Sequence, residues 1–298
     1  MSVPHLQRLS VSTTAEAEEA VVELLQRLFG AAPSAYYDTR RRTTRVSIYL
    51  PQGQRVSKTQ LSELRTGLRE MAVLGLDVGS GRVAVAKVRR EDWTESWKRH
   101  FRPLEIGGRL LVRPSWSRRR ARRGEVEVVL DPGLSFGTGQ HATTAFCLRE
   151  LVRLRRDTPQ SLLDAGTGSG ILAIAAAKLG YGPIEAFDFD PDAVRVAKEN
   201  AADNQVTRQL RLAQQDLTRL PVRAKQRFDI VCANLISDLL IAESARLLAR
   251  VKPGGTLILA GILVEQFPVV QKHFEAAGLR LVRTRREREW RSGSFLVP

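Results

Sequence analysis

The sequence predicts a chain in two parts, a small α+β unit followed by an α/β domain with a parallel sheet covered by helices on both faces. Three observations predict this. From Ser161 onward, apolar strand-like runs alternate regularly with segments of helical spacing. The loop Asp164-Ala-Gly-Thr-Gly-Ser-Gly170 follows one such run and opens a helix. The first ninety or so residues read as strand, helix, strand, strand, helix, strand. At 298 residues, 43% hydrophobic and 27% charged, the chain has core material for both parts.

The elements follow in order. Residues 6–12 alternate apolar and polar, as a half-buried strand does. Ala17, Val21, Leu24, Leu25 and Leu28 then follow helical spacing, with Thr14 as a cap. Residues 44–50 and 82–88 alternate again, and between them Leu61, Leu64, Leu68 and Met71 fall on one helical face that Gly75 or Gly79 ends. This order is the ferredoxin-like split βαβ pattern, a platform used for recognition more often than for chemistry. Residues 92–130 read as a linker and extension. They hold Trp93, Trp97 and Trp116, which either fasten one domain to the next or line a pocket rim, and one strand at 109–112. Three segments are therefore expected: 1–91, 92–130 and 131–298. In the last, SLLDA, IEAFD, LRLAQ, FDIVCAN, TLILAG and LRLVRT read as strands with helices between them. On such sheets ligands bind beyond the carboxyl ends of the strands, near the switch in strand order.

Charge is the strongest compositional signal. The net charge is +15, of which residues 101–157 carry +6 (12 basic minus 6 acidic), chiefly through SRRRARRGE at 117–125. Two readings of this run stand: a patch for RNA phosphates, or a solvated arginine-rich loop. No aromatic residues interleave with it as a base-stacking platform requires. Cys147 and Cys232 lie far apart in apolar segments without a CxxC or His spacing, which predicts buried thiols and neither a metal site nor a disulfide. No run of about 18 apolar residues and no signal-peptide zoning is found, so the expectation is a cytoplasmic chain without membrane contact.

The chemistry-bearing residues sit in the loops after the strands. Gly166, Gly168 and Gly170 form a GxGxG turn, distinct from the GxGxxG of dinucleotide folds and from a P-loop, since no Lys-Ser or Lys-Thr follows. Strand IEAFD ends in Asp188, twenty-two residues after Gly166, where a carboxylate accepts hydrogen bonds from both ribose hydroxyls of a nucleoside. Asp190-Pro191 suits a helix N-cap. Asn234 ends the fourth strand. Either its amide carbonyl accepts a hydrogen bond from an incoming amine, or it makes a turn. A second glycine loop, DPGLSFGTGQHATT at 131–144, leads into a helix at 145–154 and reads as a lid and substrate-side wall. His141 in it is either a proton acceptor or lid contact, or a residue that shapes the loop.

DPGLSFGTGQHATT, LLDAGTGSGILAIAAAKLG, FDFDPDAVRVAKEN, ANLIS and the late GGTLILAGIL together resemble the PrmA family, the methyltransferases of large-subunit ribosomal protein eleven. The resemblance is specific from about Trp93 to Gly261 and continues weakly to Glu289-Trp290. In the first ninety residues only the order of elements matches. It implies a Rossmann-like, seven-stranded class I domain dependent on S-adenosylmethionine at 131–298, after an N-terminal substrate-recognition domain and a linker. It implies methylation of lysine side chains and of the N-terminal amine of the ribosomal target. Cofactor contacts then fall on Thr144, Asp164, Gly166, Gly168, Gly170, Asp188 and Asn234, with Asn234 and His141 as catalytic candidates and no metal. The family usually has Pro where this chain has Ala142, and the run at 118–123 is not part of its pattern. Other readings are methylation of another protein lysine or of RNA, and a noncatalytic ribosome- or RNA-binding relic of the fold. ANLIS lacks the Asn-Pro-Pro-aromatic clamp common in enzymes acting on planar nitrogens, which weighs against a nucleobase.

Overall fold

The computed structural model describes residues 5–30, 33–38, 43–50, 56–73, 75–89, 103–131 and 141–298. Trp93, Trp97 and the 132–140 part of the second glycine loop lie outside the described residues. The chain divides into two compact units, Met1–His100 and Phe101–Pro298.

The first unit runs β1 (His5–Thr13), α1 (Glu18–Phe29), β2 (Ser34–Asp38), β3 (Thr43–Leu50), α2 (Lys58–Val73) and β4 (Arg82–Arg89). Its four strands form one antiparallel sheet in the order β2-β3-β1-β4. The period-2 alternation has its physical cause in the core. Leu9 and Val11 of β1 and Val46 and Ile48 of β3 turn to one face, where they pack on Val21, Leu24 and Leu25 of α1 and Leu64 and Leu68 of α2. Thr14 serves the start of α1, its hydroxyl accepting from the N–H of Ala17 at 3.3 Å. At Gly67 a Cβ would lie 2.8 Å from Leu24, so glycine lets the two helices approach.

The second unit opens with β5 (Leu104–Ile106), β6 (Leu110–Arg113) and β7 (Val126–Val129), a small three-stranded sheet. Then follow α3 (Ala142–Leu154), β8 (Leu162–Ala165), α4 (Ile171–Lys178), β9 (Ile184–Asp188), α5 (Pro191–Asp203), β10 (Leu210–Gln214) and β11 (Phe228–Asn234). The unit ends with α6 (Ser237–Ala242), α7 (Ser244–Leu248), β12 (Val251–Ala260), α8 (Phe267–Ala276), β13 (Arg280–Glu287) and β14 (Trp290–Leu296). The large sheet has the order β10-β9-β8-β11-β12-β14-β13. Strands from β10 through β12 pair in parallel, and β14 pairs antiparallel with both its neighbours. One face buries Phe146, Leu148 and Leu151 of α3 and residues 171–177 of α4, together with Leu110, Val112 and Val128 of the small sheet. The other buries Leu240, Leu247, Phe267, Val270, Phe274 and Phe295. Sandwiched in this way, α4 is apolar on nearly every side and shows no amphipathic stripe.

Strand order reverses between β8 and β11: the chain steps outward from β8 to β9 and β10 on one side, and to β11 and β12 on the other. The crevice at this switch point is where the fold offers a ligand site. Among the described residues no helix is long and apolar enough to cross a membrane.

Candidate functional site

Two strand ends flank the switch point. At the end of β8, Gly166, Gly168 and Gly170 all adopt positive φ, at 75°, 53° and 81°. A Cβ on Gly166 would lie 2.5 Å from the end of the Leu235 side chain, and one on Gly170 3.0 Å from the Ala197 Cβ, which with the positive φ favours glycine in the turn. The N–H groups of Gly166 and Thr167 both donate to the Phe187 carbonyl, at 2.9 and 3.0 Å, which ties the turn to the end of β9. Asp188 closes the arrangement: its Oδ2 accepts from the N–H of Gly168 at 2.9 Å and its Oδ1 from the N–H of Asp190 at 3.1 Å. Each carboxylate oxygen keeps a second lone pair, so Asp188 retains acceptor capacity toward a ligand. Asp190 caps α5 through Asp192 N–H at 2.9 Å, with Pro191 in the first turn.

Asp164 lies beneath this turn at 1% exposure. Its Oδ2 accepts from the Thr167 hydroxyl at 2.7 Å, while Oδ1 is buried with no hydrogen-bond partner. Burial pushes its carboxyl up to about 6, against the opposing hydrogen bonding from the Thr167 hydroxyl and the Ala173 N–H.

The second strand end carries Asn234. Its Nδ2 lies 3.5 Å from Thr144 Oγ1, and its Oδ1 is buried without a partner among the described residues. A Cβ on Gly261 would sit 3.1 Å from that Oδ1 and 2.6 Å from the Leu235 carbonyl, so glycine there admits the Asn234-Leu235 turn. The helix expected at 145–154 starts three residues earlier, at Ala142, which puts Thr144 in the first turn of α3 instead of in the loop. Among the described residues two acceptors, Asp164 Oδ1 and Asn234 Oδ1, thus lack a partner on neighbouring strands, where Cys232 pairs with Asp164 and Ala233 with Ala165. An unpaired buried polar atom costs about 1–3 kcal/mol, so these positions ask for donors from a ligand. A group carrying an ammonium or amine fits the demand.

His141 occupies the N-cap of α3 without a side-chain capping bond. Its Nδ1 contacts Thr143 Oγ1 at 2.7 Å, and its ring meets Trp290 edge-on at 5.0 Å. Burial pulls the imidazole below its ordinary pKa, which favours the neutral ring at pH 7. Trp290 was not singled out as a site residue by the sequence. Its chain position, 149 residues after His141, gives no local signal, and only the fainter end of the family resemblance reaches it. Two further residues that the sequence left unmarked are Phe189, 73% exposed beside Asp188, and Ile236, 67% exposed two residues after Asn234. Large apolar side chains exposed at a strand-end crevice are surfaces for a ligand to cover. Among the described residues no three His, Cys, Asp or Glu side chains converge as a metal site, and both cysteines are buried free thiols.

A family model described as "Ribosomal protein L11 methyltransferase (PrmA)" matches residues 5–295 of the chain. The chain belongs to the ribosomal protein L11 methyltransferase family. A curated member from Geobacter metallireducens is 42% identical over 231 residues, covering 78% of this chain and 75% of its own length. One from Pelotomaculum thermopropionicum is 39% identical over 246 residues, covering 83% and 77%. Among solved structures, a ribosomal protein L11 methylase from Lactobacillus delbrueckii subsp. bulgaricus superposes with a TM-score of 0.58 at 27% identity, covering 65% of this chain and 98% of that one.

Proposed function

We propose that the chain transfers methyl groups from S-adenosylmethionine to amines of ribosomal protein L11, both lysine side chains and the N-terminal amine. Relatives at 37–45% identity carry the name ribosomal protein L11 methyltransferase, which favours this substrate over RNA or a noncatalytic role. The observation that carries the reading is the buried, unpartnered Oδ1 of Asn234 at the switch point. The cofactor is S-adenosylmethionine, and its bound sulfonium supplies an electrophilic methyl group.

The chain's own residues do the rest. Gly166, Gly168 and Gly170 let the cofactor approach the backbone, Asp188 accepts from its ribose hydroxyls, and Thr144 and Asp164 receive its polar groups. Asn234 Oδ1 accepts an N–H from the incoming amine and so aims the nitrogen lone pair. Free lysine has a pKa of about 10.4, so deprotonation at pH 7 costs about 4–5 kcal/mol. The partly buried crevice disfavours the ammonium and lowers that cost, and alignment by Asn234 supplies much of the acceleration. His141, kept neutral, is the candidate proton acceptor.

Residues 1–91 are read as the substrate-recognition domain, of ferredoxin-like type. The β-α-β-β-α-β order and the β2-β3-β1-β4 sheet support it. Residues 92–130 are read as linker and extension, and 131–298 as a seven-stranded class I methyltransferase domain acting in the cytoplasm, where ribosomal proteins are made. Incubation with methyl-labelled cofactor, purified L11 and bare ribosomal RNA tests the reading. Label on L11 is expected, and label in RNA alone contradicts it.

A further inference from the structure

The arginine run lies in the crossover between β6 and β7, two parallel strands joined by residues 114–125. One arginine of the run is spent on shaping it. Arg119 Nε donates to Glu105 at 2.7 Å and its Nη2 to Glu125 at 2.7 Å, and Glu125, 3% exposed, also accepts from the N–H of Arg122 at 2.8 Å. The base of the loop is pinned separately: Ser115 bonds Asp131 through both N–H and hydroxyl, at 2.6 and 2.7 Å, and Arg113 pairs with Glu127 at 2.7 Å. The remaining four, Arg118, Arg120, Arg122 and Arg123, are exposed. None of them forms an ion pair among the described residues. Arg120 gives one donor to the Ser117 carbonyl, at 2.6 Å. The loop therefore has an ordered frame whose carboxylates are engaged inward while four guanidinium groups face outward.

We propose that this crossover loop docks the phosphate backbone of folded RNA. The inference rests on the reading that the substrate is a ribosomal protein, a class of protein that lives among RNA. Two features of the loop decide the partner. From Ser117 to Gly124 it offers only Ser, Arg, Ala and Gly, with no aromatic or large aliphatic anchor of the kind that carries binding energy in protein–protein interfaces. What remains is charge and the guanidinium fork, which grips phosphate oxygens bidentately. The absence of aromatics in this run also removes base stacking, so recognition is of backbone and shape, without base readout.

The test uses the full chain, without cofactor or protein substrate, so that its failure stays separate from any failure of methyl transfer. Binding of a labelled RNA hairpin is followed by fluorescence anisotropy from 50 to 200 mM salt, beside a poly-glutamate peptide of equal charge. The variant replaces Arg118, Arg120, Arg122 and Arg123 by Gln and keeps Arg119. Each phosphate contact contributes about 0.7–0.9 to the slope of log K against log salt, so the slope for RNA falls by about 3 and affinity at the lower salt falls roughly 100-fold or more. Cofactor binding and the thermal transition stay unchanged. If the fourfold variant does not fold, Arg122→Gln with Arg123→Gln is expected to remove about half the slope change. An unaltered slope and affinity overturns the proposal. Poly-glutamate binding as tightly, with the same loss in the variant, overturns it in favour of an acidic protein partner.

Discussion

Thr144 and Asn234, ninety residues apart in sequence, stand 3.5 Å from each other, Oγ1 to Nδ2. The contact joins the first turn of α3 to the end of β11. With Nδ2 toward the hydroxyl, Oδ1 is left buried and without a partner among the described residues, an acceptor open to a donor from a ligand.

Asn234→Ala removes that acceptor and nothing from either hydrophobic core. We predict an intact fold by circular dichroism and a loss of single-turnover methyl transfer of at least about 100-fold, the scale of a misaligned reacting group. A variant within a few-fold of wild type would remove Asn234 from the mechanism.

The cradle makes a stability prediction. Gly166 has φ of 75° and a Cβ there would meet Leu235 at 2.5 Å, whereas Gly254 has φ of 71° and open space around its Cβ position. Gly254→Ala should cost about 1 kcal/mol for its backbone conformation alone. Gly166→Ala should cost about 1–3 kcal/mol more through overpacking. Urea unfolding of the two variants measures the difference, and equal costs would contradict the close approach.

Asp164 ties stability to pH. Its folded-state carboxyl, pushed up to about 6 by burial, exceeds the ordinary 3.8, so the folded chain holds a proton that the unfolded chain has released between about pH 4 and 6. Stability from this group is therefore full below that window and declines as pH rises through it, by on the order of 3 kcal/mol. Asp164→Asn abolishes this component. The difference in urea midpoint between the cofactor-free wild type and the variant should change across pH 4–7. A constant difference counts against the buried, half-satisfied carboxylate.

His141 makes a kinetic prediction. Burial lowers its pKa from the ordinary 6.5, so a proton-accepting role places the acid limb of kcat/KM below pH 6.5. His141→Gln should erase that limb. A uniform fall in rate at every pH would instead assign the ring to holding Thr143 and Trp290 in place.

Much of the fold was legible because apolar periodicity reports burial directly. Strands β8 to β12 were readable from runs such as IEAFD and FDIVCAN, and Asp190-Pro191 announced the start of α5. Strand β14 was not legible. Its centre is Ser292, Gly293 and Ser294, and a Cβ on Gly293 would lie 2.9 Å from Phe267 and Phe295, so close packing demands small residues where a pattern search expects large apolar ones. In the sheet β5-β6-β7 the strand expected at 109–112 is β6, whereas β5 and β7 were hidden for a different reason: strands of three or four residues are shorter than the windows in which alternation becomes distinct. Asp188 and Asn234 were legible as the ends of β9 and β11 because strand ends are visible. Trp290 was missed because it reaches His141 from a distant strand that the pattern did not reveal.

The central claim is amine methylation of L11 directed by Asn234. Its most direct test is mass mapping of purified L11 after incubation with methyl-labelled S-adenosylmethionine and either wild-type chain or Asn234→Ala. Methyl groups are expected on lysine side-chain and N-terminal nitrogens with the wild type and none with the variant. Methyl groups on other atoms, or equal modification by both proteins, would contradict it.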